Sequence, residues 1–262
     1  AFTFTSCDDD DNEIMQPKTN SIVDFVVANS SSYSILLDAL GKADGNLVNV
    51  LSGDGPFTVF APNDAAFSNF LSTNGFNSID EVPTDILSQI LLNHVVSGSV
   101  ESSGLSTGYI KSLSTATPNG EKMNMFINTS DGVKINGVAT VTNPDYILDN
   151  GVVHLVDAVI GLPTVVTFAT ADPTFSTLVT ALTRDDQPDF VSTLSTANGT
   201  APAPFTVFAP TNDAFGNLLT ELDATSLNDI DTATLTATLN YHVVGGANVM
   251  SSALMDAMTV TT

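Results

Sequence analysis

Phe57-Thr58-Val59-Phe60-Ala61-Pro62-Asn63-Asp64-Ala65-Ala66-Phe67 returns later in the chain as Phe205-Thr206-Val207-Phe208-Ala209-Pro210-Thr211-Asn212-Asp213-Ala214-Phe215. The shift from position 57 to position 205 is 148 residues, and Asn93-His94-Val95-Val96 repeats at the same shift as Tyr241-His242-Val243-Val244. Two boxes in constant register mean two copies of one module. A period this long exceeds a solenoid repeat and suits a globular domain of about 100 to 150 residues. The chain therefore divides into a tail, residues 1–21, module one, residues 22–163, and module two, residues 164–262.

Outward from the first box the pattern is helical. Ile22, Phe25, Val26 and then Tyr33, Leu36, Leu37, Leu40 recur at helix spacing until Gly41 and Gly45. Phe57 to Phe60 carries apolar residues on both faces and reads as a buried strand. Pro62 suits the first turn of a helix, with Asn63 or Asp64, and Asp213 in the second copy, as caps. Ile86, Ile90, Leu91 and His94 form a further stripe after Pro83, with Thr84 as its cap. Asp131-Gly132, Asn136-Gly137 and Asn150-Gly151 then punctuate short apolar runs and predict hairpins. Helices first and hairpins afterwards is an α+β order. Module two repeats the helical half, with Phe175, Leu178, Val179 and Leu182 answering Tyr33, Leu36, Leu37 and Leu40, and the stretch 185–204 reads as a loop. Only 20 residues follow His242, against 69 from His94 to Pro163, so the second copy lacks its hairpins here. The expectation is either a fragment of a longer protein or strands supplied from elsewhere. Phe60, Phe67, Phe208 and Phe215 read as core, and the modules, joined by a short segment, are expected to share little surface.

Composition excludes several functions. Six Lys plus Arg against 29 Asp plus Glu give a formal charge of -23, which repels phosphate backbones and argues against nucleic-acid binding. Hydrophobic residues make up 43%, enough for two cores and too many for a disordered acidic tail. No apolar run reaches the roughly 18 to 20 residues that span a bilayer. The three histidines are scattered, so no metal site is expected, and neither a nucleophile elbow nor a phosphate-cradling loop occurs. The reading is a non-enzyme without cofactor or metal. His94, His154 and His242 all lie in apolar sequence and read as buried histidines holding hydrogen bonds.

The single cysteine carries a separate expectation. Cys7 follows Phe4-Thr5-Ser6 and precedes Asp8-Asp9-Asp10-Asp11, an order similar to a bacterial lipobox followed by an acidic export signal. It implies a lipid attached at Cys7, residues 1–6 as the end of a signal peptide, and display on the outer leaflet of an outer membrane. Phe4 stands where that signal prefers Leu.

The two boxes resemble the first signature of the fasciclin-domain family, Thr-Val-Phe-Ala-Pro followed by Ala-Phe. Asn93-His94 and Tyr241-His242 sit at its Tyr-His motif, and Asn150 to Asp157 is similar to its second signature. The resemblance implies tandem modules, each a wedge-shaped β-sandwich with flanking helices, and a biology of adhesion through protein or polysaccharide contacts. In some members an Asp-Ile dipeptide and the Tyr-His region serve as contacts, which makes Asp85, Ile86, His94, Tyr241 and His242 the candidate binding residues; Asp229-Ile230 is a second such dipeptide. The leading expectation is a lipid-anchored surface binder, alone or as an accessory subunit of an outer-membrane complex. The alternative is a structural spacer that displays a further C-terminal region. With no Trp and four Tyr, glycan binding is the weaker half of the first reading.

Overall fold

The computed structural model describes residues 20–259 and 262. Cys7 and Asp8 to Asp11 lie outside them. Module one opens with α1 (Ile22–Ala28), α2 (Ser30–Lys42) and α3 (Leu47–Ser52), continues through β1 (Phe57–Pro62), α4 (Asp64–Thr73) and α5 (Thr84–Leu92), and ends in six strands. These are β2 (Val95–Ser97), β3 (Gly108–Lys111), β4 (Asn124–Asn128), β5 (Lys134–Ile135), β6 (Ala139–Leu148) and β7 (Gly151–Val156). The order is α+β, helices first, as the sequence predicts.

Local chemistry sets the boundaries. Ser21 and Asp24 form a capping box at α1. Asn63 caps α4 by accepting from the Ala66 amide at 2.8 Å, and Asn136-Gly137, with φ of 51° and 71°, makes the tight turn between β5 and β6. Several expectations change. Pro62 ends β1 rather than opening a helix. Gly41 sits inside the last turn of α2, and α3 follows where no helix was read. Thr84 is the first residue of α5 and bonds Asp44 instead of capping. Along α5 the buried stripe is Leu87, Ile90 and Leu91, one position off the predicted one, which leaves Ile86 exposed.

The seven strands pair in the order β2-β1-β7-β6-β5-β4-β3. Only β1 and β7 run parallel, in the register Phe57 opposite Gly151 through Pro62 opposite Val156. A bridge between Val96 and Ser112 brings the two edge strands together, so the sheet folds over on itself. Alternation along β1 then feeds two cores. Val59 and Ala61 join Val26, Leu36, Leu40, Phe67 and Val153 beneath the helices. Phe60 faces the other way, into Met125, Ile127, Ile135, Val156 and Ile160.

Module two has α6 (Val165–Ala171), α7 (Ser176–Leu182), α8 (Phe190–Leu194), β8 (Phe205–Val207), α9 (Asn212–Glu221), α10 (Thr232–Tyr241) and β9 (Val243–Gly245). The 185–204 stretch is not all loop, since α8 buries Phe190 and Leu194 in the module's core. β8 pairs with β9 as β1 pairs with β2, position for position at the 148 shift. Thr211 caps α9 in the place of Asn63. Neither Asp64 nor Asp213 is a cap. Asp64 accepts from the Ile35 amide at 2.8 Å and from Ser34, and its counterpart Asn212 accepts from the Thr177 amide at 2.9 Å. This first-turn side chain therefore ties α4 to α2, and α9 to α7.

One core expectation fails. Phe60, Phe67 and Phe215 are at most 2% exposed, but Phe208 is 42% exposed. The cause is geometric. Phe60 is enclosed by residues from β4 to β7, and among the described residues module two has no such strands.

Candidate functional site

The turn from α5 into β2 places Asn93 and His94. The His94 ring is buried; its Nδ1–H donates to the Ile90 carbonyl at 2.8 Å and its Nε2 accepts from the Ile160 amide at 2.9 Å. Burial pushes its pKa down to about 4, only partly opposed by the Ile90 bond. It is a neutral clasp between α5 and the segment after β7. Asn93 adds a second clasp, donating to the Gly161 carbonyl at 2.9 Å and accepting from the Ser112 hydroxyl at 2.8 Å. His154 on β7 is also buried, with Nε2 bonded to the Val100 carbonyl at 2.9 Å and Nδ1 accepting from the Asp145 amide at 3.2 Å. The Ser102 hydroxyl and amide hold the neighbouring Asp145 carboxyl below the usual carboxylate range.

Module two keeps half of this clasp. His242 Nδ1 donates to the Thr238 carbonyl at 2.8 Å, but the described residues offer its Nε2 no counterpart of the Ile160 amide. The half-buried ring borders a cavity of about 350 Å³ beside Pro210, Phe215 and Leu218. Tyr241 takes the place of the buried Asn93 and is 75% exposed.

Asp85 and Ile86 lie elsewhere, on the exposed side of α5. They line a cleft of about 830 Å³ with Gln89, Pro163, Ser195 and Asn198, so both modules contribute walls. The modules also touch directly. The Tyr109 hydroxyl on β3 donates to buried Asp172 at 3.0 Å, and its ring meets Phe168 of α6 edge-on at 5.6 Å. Burial, followed by the bond to Asp172, pushes the Tyr109 hydroxyl well above the usual tyrosine range. The other Asp-Ile pair is structural: Asp229 accepts from the Thr225 hydroxyl and from the Thr225 and Ser226 amides, which lower its pKa in that order, and Ile230 is buried.

The predicted residues thus do not form one site. Asp85 and Ile86 share the cleft, His94 is enclosed in module one, and Tyr241 and His242 stand at the end of α10. Among the described residues no group of three or more His, Cys, Asp or Glu could hold a metal ion. Sequence reasoning missed the junction of Tyr109, Phe168 and Asp172. The pattern Asp172-Pro173-Thr174 carried a turn signal, which Asp172 fulfils by accepting from the Thr174 amide at 3.0 Å, but no periodicity marks Tyr109.

With this geometry in view, the model for the fasciclin domain matches residues 31–163 and 173–262. The chain belongs to the fasciclin-domain family. Protein sll1483 of Synechocystis sp. is 35% identical over 150 residues, covering 56% of this chain and 78% of the relative. Protein sll1735 of the same organism is 36% identical over 140 residues, 53% of this chain and 96% of the relative. Human periostin is 25% identical over 213 residues, 78% of this chain but 22% of periostin. Among solved structures, a FAS1 domain pair from the insect cell adhesion molecule fasciclin I superposes with a TM-score of 0.51 at 18% identity, covering 79% of this chain and 71% of that one. That likeness establishes the fold of a tandem pair.

Proposed function

We propose that this fasciclin-family protein is a non-enzymatic surface protein that binds a protein or polysaccharide partner through its tandem modules. The observation that carries the reading is the cleft walled by both modules, with Asp85 and Ile86 exposed on it and the Tyr109–Asp172 contact holding its two sides in register. A cleft of this size, with mixed polar and apolar walls, suits recognition. The matched fasciclin I pair comes from a cell adhesion molecule, which supports the same class of function. In this reading Cys7 carries a lipid and the run Asp8 to Asp11 directs the protein to the outer leaflet, so the modules act at the cell surface, alone or with an outer-membrane complex. A fixed junction would also serve a spacer, and binding separates the two.

The test titrates the purified protein onto immobilised surface polysaccharides and surface proteins. Saturable binding that falls at least about threefold in a variant with Asp85→Ala and Ile86→Ala, with unchanged melting, supports the reading. Binding indifferent to those substitutions, or no saturable binding to either class, contradicts it. In cells, Cys7→Ser should release the protein into the soluble fraction; a mature protein that keeps residues 1–6 and a free thiol would refute the anchor.

A further inference from the structure

The cleft between the modules has a charge pattern that selects its occupant. Among the described residues, Asp44 and Asp85 are the only ionisable groups in its walls. Asp44 comes from the segment between α2 and α3, and two bonds from α5 fix it there. Its carboxyl accepts from the Thr84 hydroxyl at 3.0 Å, and its backbone carbonyl accepts from the Ser88 hydroxyl at 3.1 Å. Asp85 follows Thr84 in the first turn of α5, so both carboxylates stand at one end of that helix. Among the described residues neither is paired with a cation. Lys42, Lys134 and Arg184 are held by other aspartates, and Lys111 and Lys122 line a neighbouring groove together with Glu121. The cleft therefore carries uncompensated negative charge in a chain whose net charge is already -23. The wall around it is apolar: Val50 and Ile86 are 40% and 42% exposed, and Leu92 and Pro163 continue it. Among the described residues no aromatic ring lines the cleft, so a sugar face has nothing there to stack on.

We infer, resting on the binding role proposed above, that the occupant of this cleft is a polypeptide segment of a partner that presents a lysine or arginine side chain. Such a side chain has the two parts that the cleft complements, an apolar stem and a charged head. The stem lies along Val50, Ile86 and Pro163, and the head reaches Asp44 and Asp85. Gln89 serves the backbone of the same segment. Its Oε1 is taken by the Ser114 hydroxyl at 2.9 Å and the Thr115 amide at 2.8 Å, while its Nε2 has no partner among the described residues and can donate to a peptide carbonyl. Across the cleft, the Asn198 amide of module two offers both a donor and an acceptor. A polysaccharide fits the same walls less well: a neutral one finds no ring, and an acidic one meets two carboxylates of its own sign. The negative charge also draws a basic partner in from a distance, an attraction that salt screens.

The probe is a synthetic hexapeptide with two lysines among valine, proline and glycine, titrated into the whole protein at low salt. Three comparisons run beside it: the same peptide with glutamate for lysine, polygalacturonate, and dextran. The lysine peptide should bind saturably and weaken as salt rises. The double variant Asp44→Asn with Asp85→Asn keeps an acceptor for Thr84 and removes both charges; it should bind at least about threefold more weakly with unchanged melting. Asp185→Asn with Asp223→Asn makes the same charge change at exposed residues outside the cleft and should leave the affinity within about 1.5-fold. Equal loss in both variants, equal binding of the glutamate peptide, or no binding of the lysine peptide would overturn the inference. Binding of polygalacturonate or dextran that depends on Asp44 and Asp85 would overturn it in favour of a glycan and leave the binding role of the cleft standing. Indifference of every surface protein and polysaccharide to Asp85→Ala with Ile86→Ala would remove that role itself.

Discussion

Phe60 and Phe208 occupy the same position of the same signature, yet one is fully buried and the other 42% exposed. The contrast extends along the modules. His94 bonds through both ring nitrogens, whereas among the described residues the His242 ring keeps only the contact to its own helix. α1 buries Ile22, Val23 and Val26, whereas no residue of α6 is fully buried. Among the described residues the helical half of module two keeps the frame of module one and buries Phe215 as module one buries Phe67, whereas Phe208, unlike Phe60, has no counterpart of β4 to β7 to close over it. At that one position burial is a property of the assembled sheet, not of the motif.

The largest expected asymmetry is at the two phenylalanines. Phe60→Ala removes a fully enclosed ring and should cost module one about 3 to 5 kcal/mol. Phe208→Ala should cost module two less than about 1 kcal/mol, in the range of surface changes. Denaturant unfolding of each variant, followed by hydrogen exchange in both modules, measures both; equal losses would break the comparison.

Next comes the pH response of His94. Its native pKa of about 4 lies below the ordinary 6.5, so between those values the unfolded chain takes a proton that the native ring refuses. Module one should hold its full stability above about pH 6.5 and lose about 3 kcal/mol as the pH falls to 4. Replacing His94 with Gln should flatten that slope at the price of a lower plateau at neutral pH. A slope unchanged by the substitution would assign the response to another group.

Smallest is the junction. Tyr109→Phe deletes one hydrogen bond to Asp172 and should cost about 1 kcal/mol. Its effect should appear as looser coupling between the modules, with their unfolding transitions drawing further apart. Transitions that keep their separation would show that the contact does not couple them.

The repeat made the module count legible, and local spacing and turn chemistry did the same for the α+β order and the β7 strand, but for the α4 cap they left Asn63 or Asp64, of which Asn63 caps. Ile86 was misplaced for a local reason as well: a stripe starting at Ile86 and one starting at Leu87 both fit three of the same residues, and packing on α2 selects the second. Phe208 could not be read from its own neighbours, since what encloses Phe60 arrives from positions 125 to 160. The cleft at Asp85 and Ile86 and the Tyr109 contact were hidden for the same reason. They depend on where two modules meet, and no periodicity within either module encodes that.

The central claim, that closure by the last strands separates the two modules, is tested most directly by hydrogen exchange of the 262-residue protein at neutral pH. Phe57 to Phe60, held between β2 and β7, should exchange slowly, and Phe205 to Phe208, paired on one edge, should exchange at least about a hundredfold faster. Equal protection of both segments in a demonstrated monomer would contradict the account, because module two would then be closed without those strands.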